Sequence, residues 1–249
     1  MAVHIKTPKE IDGIRQAGAI AVEVFRALAV AVEPGVSLKQ LERVCDDSIR
    51  SSGAEPTFLG YRGFPSAVCL SVNEEVVHGI PDQRKLEEGD ILKVDVGVTK
   101  DGCIADAART FEVGKVSPEI HALVVAAEQA FRLGAAKARA GNRVGDIGAA
   151  VQSYAESRGY SVVRDLCGHG VGLELHEEPQ VPNFVSRSKG MKLVPGMTLA
   201  IEPMINMGTY EVETLANGWT VVACDRKPSA HYENTVLVTD SEPIVLTNG

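Results

Sequence analysis

Ile11, Ile14, Ala17, Ala21, Phe25, Leu28 and Val32 recur at helical spacing, which marks one buried face of a first helix. Thr7-Pro-Lys-Glu10 announces its start: Thr7 can cap, Pro8 suits the first helical position and Glu10 completes a capping box. Pro34-Gly35 ends it. A second helix is predicted from Ser37, with Gln40 three residues on, to near Gly53. A third starts at Ser117-Pro118 and carries Ile120, Val124, Ala127 and Phe131 on one face; a fourth covers residues 144–158 and stops at Gly159. These stripes are assigned to the core and given no chemistry.

The pattern changes period in Ile91-Leu-Lys-Val-Asp-Val-Gly-Val-Thr-Lys-Asp-Gly-Cys-Ile-Ala-Asp106. Apolar and polar residues roughly alternate there on both sides of an Asp-Gly pair, the signal of a hairpin. A turn centred on Lys100-Asp101 sets Asp95 opposite Asp106. A turn centred on Asp101-Gly102 sets Asp95 opposite Ala108, with Asp106 diagonal. Either register leaves both carboxylates on one face, because side chains repeat every second residue. Neighbouring carboxylates repel, and they persist if one is protonated or a cation lies between them. The bland alternative is a pair of solvated surface aspartates. Asp95 lies in a strand reading as mostly buried, which favours a ligand.

Three further residues share that character. His169 sits in Cys167-Gly-His-Gly-Val-Gly172, whose glycines let the backbone pass close to a metal or substrate. The spacing is not that of a nucleotide loop, and an ordinary loop histidine is the plain alternative. Glu202 interrupts the apolar Met197-Thr-Leu-Ala-Ile-Glu-Pro-Met204, where an unpaired carboxylate is costly and Pro203 ends or bulges the strand. Glu233 stands at a strand entrance in His231-Tyr-Glu-Asn-Thr-Val. His176-Glu-Glu-Pro179 is not a zinc helix, since position 180 is Gln and Pro179 breaks the turn; His176 is expected to face the same cleft as a hydrogen-bonding group. Four carboxylates and one imidazole suit hard-to-borderline divalent metals such as Mn, Fe, Co or Zn, and bridging carboxylates suit a pair of ions that activates water.

A faint repeat explains how such distant ligands could converge. The segment around Gly35 aligns with that around Gly141 at an offset of 106, and Gly53 matches Gly159 at the same offset. Each half then reads helix, helix, acidic strands. The expected organisation is one catalytic domain over residues 1–249, with halves of about 1–115 and 116–249. Composition adds exclusions. A net charge of −8 disfavours a general nucleic-acid binder, although Arg187, Lys189 and Lys192 offer a local basic contact. Five cysteines without a Cys-x-x-Cys pair suggest free thiols in a reducing compartment. The best apolar stretch, residues 17–32, is broken by Glu23 and Arg26, so no membrane span is expected and the cytoplasm is the expected location.

Tyr61-Arg-Gly-Phe-Pro-Ser-Ala-Val-Cys69, Ser71-Val-Asn-Glu-Glu-Val-Val-His-Gly-Ile-Pro81, Asp95, Asp106, Gly168-His-Gly-Val-Gly, His176-Glu-Glu-Pro, Ile201-Glu-Pro-Met and His231-Tyr-Glu-Asn-Thr together resemble the type I methionine aminopeptidases of the short bacterial kind, over nearly the whole chain. The spacing from His176 to Glu202 leaves no room for the helical insertion of the type II enzymes.

The resemblance implies an α/β (α+β) pita-bread fold: two pseudo-symmetric halves, a central antiparallel sheet and outer helices. It implies removal of the initiator methionine from nascent polypeptides when the second residue is small, as it is in Met1-Ala2, by a monomeric enzyme with two divalent ions (Co, Mn, Fe or Zn). Asp106 and Glu233 would bridge the ions, Asp95 would hold one, and His169 and Glu202 the other, with Glu202 also moving protons. His78 and His176 would contact the substrate backbone, and Tyr61, Phe64, Cys69 and Trp219 would line the methionine pocket. A transient ribosome contact is implied, without sequence-specific nucleic-acid binding. Gly97, Leu175 and Phe58 depart from commoner members, where Thr, Phe and a smaller residue are frequent. The rivals are a prolidase or aminopeptidase P, which usually carry a large additional N-terminal domain, and a non-catalytic module of the same fold, which would have lost ligands.

Overall fold

The computed structural model describes residues 3–248; the Met1-Ala2 start lies outside them. Helices α1 (Pro8–Ala31), α2 (Leu38–Ser51), α3 (Pro118–Ala135) and α4 (Val144–Ser157) form where the apolar periodicity places them. The Thr7–Glu10 and Ser37–Gln40 capping boxes are both closed. The third helix is rotated relative to its expected face. Leu123, Ala127, Ala130 and Phe131 are buried, while Ile120 and Val124 are only partly covered, because α3 packs its small residues against α4.

Among the described residues the strands are, in chain order, β1 (Glu55–Pro56), β2 (Cys69–Val72), β3 (Glu75–Val77), β4 (Ile91–Lys100), β5 (Cys103–Glu112), β6 (Ser161–Val162), β7 (Gly168–Gly170), β8 (Glu177–Val181), β9 (Thr198–Ile201), β10 (Met204–Asn206), β11 (Val212–Thr214), β12 (Val221–Ala223), β13 (Ser229–His231), β14 (Glu233–Leu237) and β15 (Ile244–Val245). The main sheet runs β1-β4-β5-β14-β9-β7-β8, with β2 added on β4 and β15 on β14, and its pairs are antiparallel. Its middle seam joins β5 to β14 through Glu233 opposite Ala108.

Alternation decides which face does what. On β4, Leu92, Val94, Val96 and Val98 enter the core under α1 and α2; Lys93, Asp95 and Gly97 point the other way. A second core lies under α3, against Leu199, Ile201 and Val236. Helices therefore cover one face of the sheet, and the carboxylates are left on the other.

The faint repeat has a structural counterpart. Leu38 and Val144, then Ser51 and Ser157, open and close α2 and α4 at the same offset of 106 residues. Each helix start is held by a backbone bond to a later loop: Leu38 N to Arg84 O at 3.0 Å, and Val144 N to Met191 O at 3.0 Å. Among the described residues, no helix is long and apolar enough to cross a membrane.

Candidate metal centre and its cavity

The hairpin takes the second of its two registers. Asp95 lies opposite Ala108 and Asp106 opposite Gly97, so the carboxylates are diagonal neighbours on the face away from α1. Glu233 opens β14 beside Ala108. Glu202 occupies the break between β9 and β10, where Pro203 ends the ladder. His169 is in a strand, not a loop: β7 pairs with both β8 and β9. Its flanking glycines serve those neighbours rather than a ligand, since a Cβ at Gly168 would strike the Ala200 carbonyl and one at Gly170 the Glu178 carbonyl. That close approach carries His169 between the sheet and the cavity.

Asp95, Asp106, His169, Glu202 and Glu233 all line one cavity of about 860 Å³, mouth included, together with His78, His176, Tyr61, Phe64, Cys69 and Trp219. Ligand atoms of Asp106, His169 and Glu233 lie within 4.8 Å of one another. The His169 Nε2 is 3.9 Å from Asp106 Oδ2 and 3.5 Å from Glu202 Oε1. Asp95 joins this group through Asp106 beside it.

Electrostatics alone would not hold the arrangement. Burial, then the neighbouring carboxylates, pushes Asp106 and Glu233 well above the usual carboxylate range; burial, then Asp95, does the same to Glu202. Burial pushes Asp95 up to about 7. Asp95 Oδ1 and Asp106 Oδ1 are buried without a hydrogen-bond partner. Such oxygens are costly unless a cation satisfies them. Burial also lowers His169 and keeps the ring neutral. Its Nδ1 lies 2.9 Å from the Gly170 carbonyl, so Nδ1–H donates there and the Nε2 lone pair faces the carboxylates. An oxygen-rich set with one oriented imidazole fits a divalent metal.

The apolar end of the cavity is built from Phe58, Phe64, Cys69 and Leu175, with Tyr61 and Trp219 packed against them. Phe64 and Trp219 meet edge to face, ring centres 5.2 Å apart. Burial, then the acidic cluster, raises the Cys69 thiol, which therefore packs as a neutral side chain. At the mouth, Tyr61 Oη is 2.8 Å from His176 Nδ1. Burial, then His169, Arg62 and His78, lowers His176 to about 4.

Two of the unusual positions explain each other. A Cβ on Gly97 would lie 2.6 Å from Phe58 Cε1, so the large ring fills the space that a side chain at 97 would take. Gly97→Thr is therefore expected to cost about 1–3 kcal/mol by overpacking. In a Phe58→Ala background, itself less stable because a buried ring is lost, the same substitution should cost much less. Thermal unfolding of both single variants and the double checks it; additive losses would show the two positions to be independent.

Sequence reasoning missed several residues. His231 is buried beside Glu202, with neither ring nitrogen hydrogen-bonded and Nε2 3.9 Å from Glu202 Oε2. The available signal was its place two residues before Glu233. Lys93 is buried two residues before Asp95, and its ammonium donates to the Asn73 carbonyl at 2.6 Å. Arg109 donates to the Glu233 carbonyl at 2.6 Å and stacks over Tyr232, which fixes the start of β14. Lys6 is buried in an ion pair with Glu177, whose other oxygen accepts from Leu173 N at 2.7 Å and so braces the turn before His176.

Comparisons with known proteins agree with this geometry. The profile of metallopeptidase family M24 matches residues 12–240. The methionine aminopeptidase of Clostridium acetobutylicum is 50% identical, over 98% of this chain and 98% of its own. The solved methionine aminopeptidase of Thermotoga maritima superposes with a TM-score of 0.97 at 39% identity, covering 100% of both chains. The prolidase of Pyrococcus furiosus shares the fold alone, with a TM-score of 0.80 at 23% identity over 98% of this chain and 65% of its own. With the sheet, the outer helices and this likeness in hand, the fold is the pita-bread fold, and the chain belongs to metallopeptidase family M24, on its methionine aminopeptidase branch.

Proposed function

We propose that this chain is a metal-dependent exopeptidase that removes the N-terminal methionine of polypeptides whose second residue is small. The observation that carries the reading is one cavity holding both a buried carboxylate–imidazole cluster and an apolar recess lined by Phe58, Phe64, Cys69 and Leu175. In this reading Asp95, Asp106, His169, Glu202 and Glu233 would hold two divalent ions, Asp106 and Glu233 serving both, Asp95 one, and His169 with Glu202 the other. When bound, such ions supply Lewis acidity and bring the pKa of water toward neutrality.

The remaining roles belong to the chain itself. Glu202 takes the proton of the attacking water and returns one to the leaving amine. His176 is neutral at pH 7, and with Nδ1 accepting from Tyr61 its Nε2–H is free to donate to the developing oxyanion. His78, lowered by burial, steadies the scissile amide. Phe64, Cys69 and Trp219 take the unbranched thioether, and crowding beyond them restricts the second residue. The whole of residues 1–249 acts as one catalytic unit, with halves of about 1–115 and 116–249, in the cytoplasm and as a monomer. Exposed Arg187, Lys189 and Lys192 supply positive charge for a transient contact with the ribosome as chains emerge.

The test is release of free methionine from Met-Ala-Ser, after chelator treatment and again after adding Mn, Co or Fe. Release that returns with metal and is absent on Met-Lys-Ser is the expected result. Cleavage of x-Pro peptides without release from Met-Ala-Ser would replace this reading with a prolidase. No cleavage and no metal binding by calorimetry would leave a binding module.

A further inference from the structure

We infer that Arg62 is a specificity-determining residue that favours an acidic side chain at the third or fourth position of the substrate. This rests on the aminopeptidase reading above. Arg62 lines the cavity, yet it is exposed, so it stands at the rim rather than in the recess. Among the described residues its guanidinium has no hydrogen bond and no ion pair with any carboxylate. Its contact is with the Tyr61 ring, whose centre lies 5.3 Å from the guanidinium carbon. Tyr61 in turn stacks on His176, ring centres 5.3 Å apart. Arg62, Tyr61 and His176 thus form one wall of the mouth, with the charge on its outer edge.

The backbone fixes the point from which this side chain departs. Arg62 has φ 50° and ψ 22°, the left-handed region that disfavours a side chain, and it lies between Gly60 at φ 83° and Gly63 at φ 90°. A third glycine would relieve that turn; an arginine there holds a cation over the opening instead.

Substrate geometry supplies the partner. With the first side chain in the recess and the scissile bond beside His176, the chain must leave across this wall. An extended peptide advances roughly 3.3 Å per residue, so its third and fourth residues pass the guanidinium. The second is restricted to small side chains and offers no charge. Beyond it, an unpaired guanidinium attracts Asp or Glu and repels Lys or Arg.

The experiment compares kcat/KM for amidated Met-Ala-Asp-Gly, Met-Ala-Ser-Gly and Met-Ala-Lys-Gly peptides on the metal-loaded enzyme, so that no terminal carboxylate competes. A preference for Asp over Lys of about two- to fivefold is expected, the size of an exposed ion pair. It should shrink as salt is raised from about 0.05 to 0.5 M. Arg62→Asn, which tolerates positive φ, should remove the preference; Arg62→Lys should keep part of it, and Arg62→Glu should reverse it. Equal rates on Asp and Lys peptides, or a preference that survives in Arg62→Asn, would overturn the assignment while leaving the aminopeptidase reading intact. Failure to release methionine from any of the three would overturn the aminopeptidase reading itself, and this inference with it.

Discussion

Glu202→Gln is expected to lower kcat for methionine release by about 10²–10⁴-fold, the usual contribution of a positioned general base. The substitution keeps the volume of the side chain and one carbonyl oxygen, so the break after β9 and its packing should survive. What it removes is the ability to take a proton. Glu202 is placed for that work: its carboxylate lies at the sheet break beside the cavity, 3.5 Å from His169 and 3.9 Å from His231. Because the same residue is assigned as a ligand, loss of metal is the competing cause. Activity measured at saturating Mn separates the two. A defect rescued by excess metal assigns Glu202 to binding alone. A defect in kcat that persists with metal bound by calorimetry assigns it to proton transfer. Normal turnover would remove it from both roles.

The carboxylate face was readable because its information is local. A period of two forces Asp95 and Asp106 to one side of a hairpin whichever turn is used, so the uncertain register did not matter. The helices were readable for the same reason, since caps and apolar spacing lie within one turn. His169 was harder. Gly168 and Gly170 have low strand propensity, and the strand exists because Ala200 and Glu178 come close from β9 and β8, which no local pattern records. The rotation of α3 has a similar origin: its small residues are selected by α4, not by its own periodicity. Phe58 and Gly97 each looked like an isolated departure, and only their contact makes them one feature. Lys93 shares its strand face with Asp95, whereas His231 comes beside Glu202 from β13, in a different sheet from Glu233; a polar residue in an apolar setting was the signal, and burial gives it its weight.

Removing the metal is expected to lower the unfolding temperature by on the order of 10 °C at pH 8, and by much less at pH 5. The sign follows from the acidic cluster. A carboxylate with a folded pKa raised above its unfolded value favours folding while protonated, so its contribution is fully present below the unfolded pKa. Asp95 shifts from the ordinary 3.8 to about 7, and Asp106, Glu202 and Glu233 shift in the same direction. As pH rises from about 4 to 7, the unfolded chain releases these protons more readily than the folded one, and metal-free stability falls. Above the folded pKa the buried charges face one another uncompensated. Divalent ions bind the deprotonated form, so their stabilisation grows over the same interval. At a thousandfold excess over Kd it reaches about 4 kcal/mol, which for a chain of this size is roughly 8–16 °C. Calorimetric scans of chelated and Mn-loaded protein at pH 5 and pH 8 measure the gap directly. A gap that stays constant or narrows toward pH 8 would show that the cluster is not held together by metal, and that these carboxylates find their compensation elsewhere in the fold.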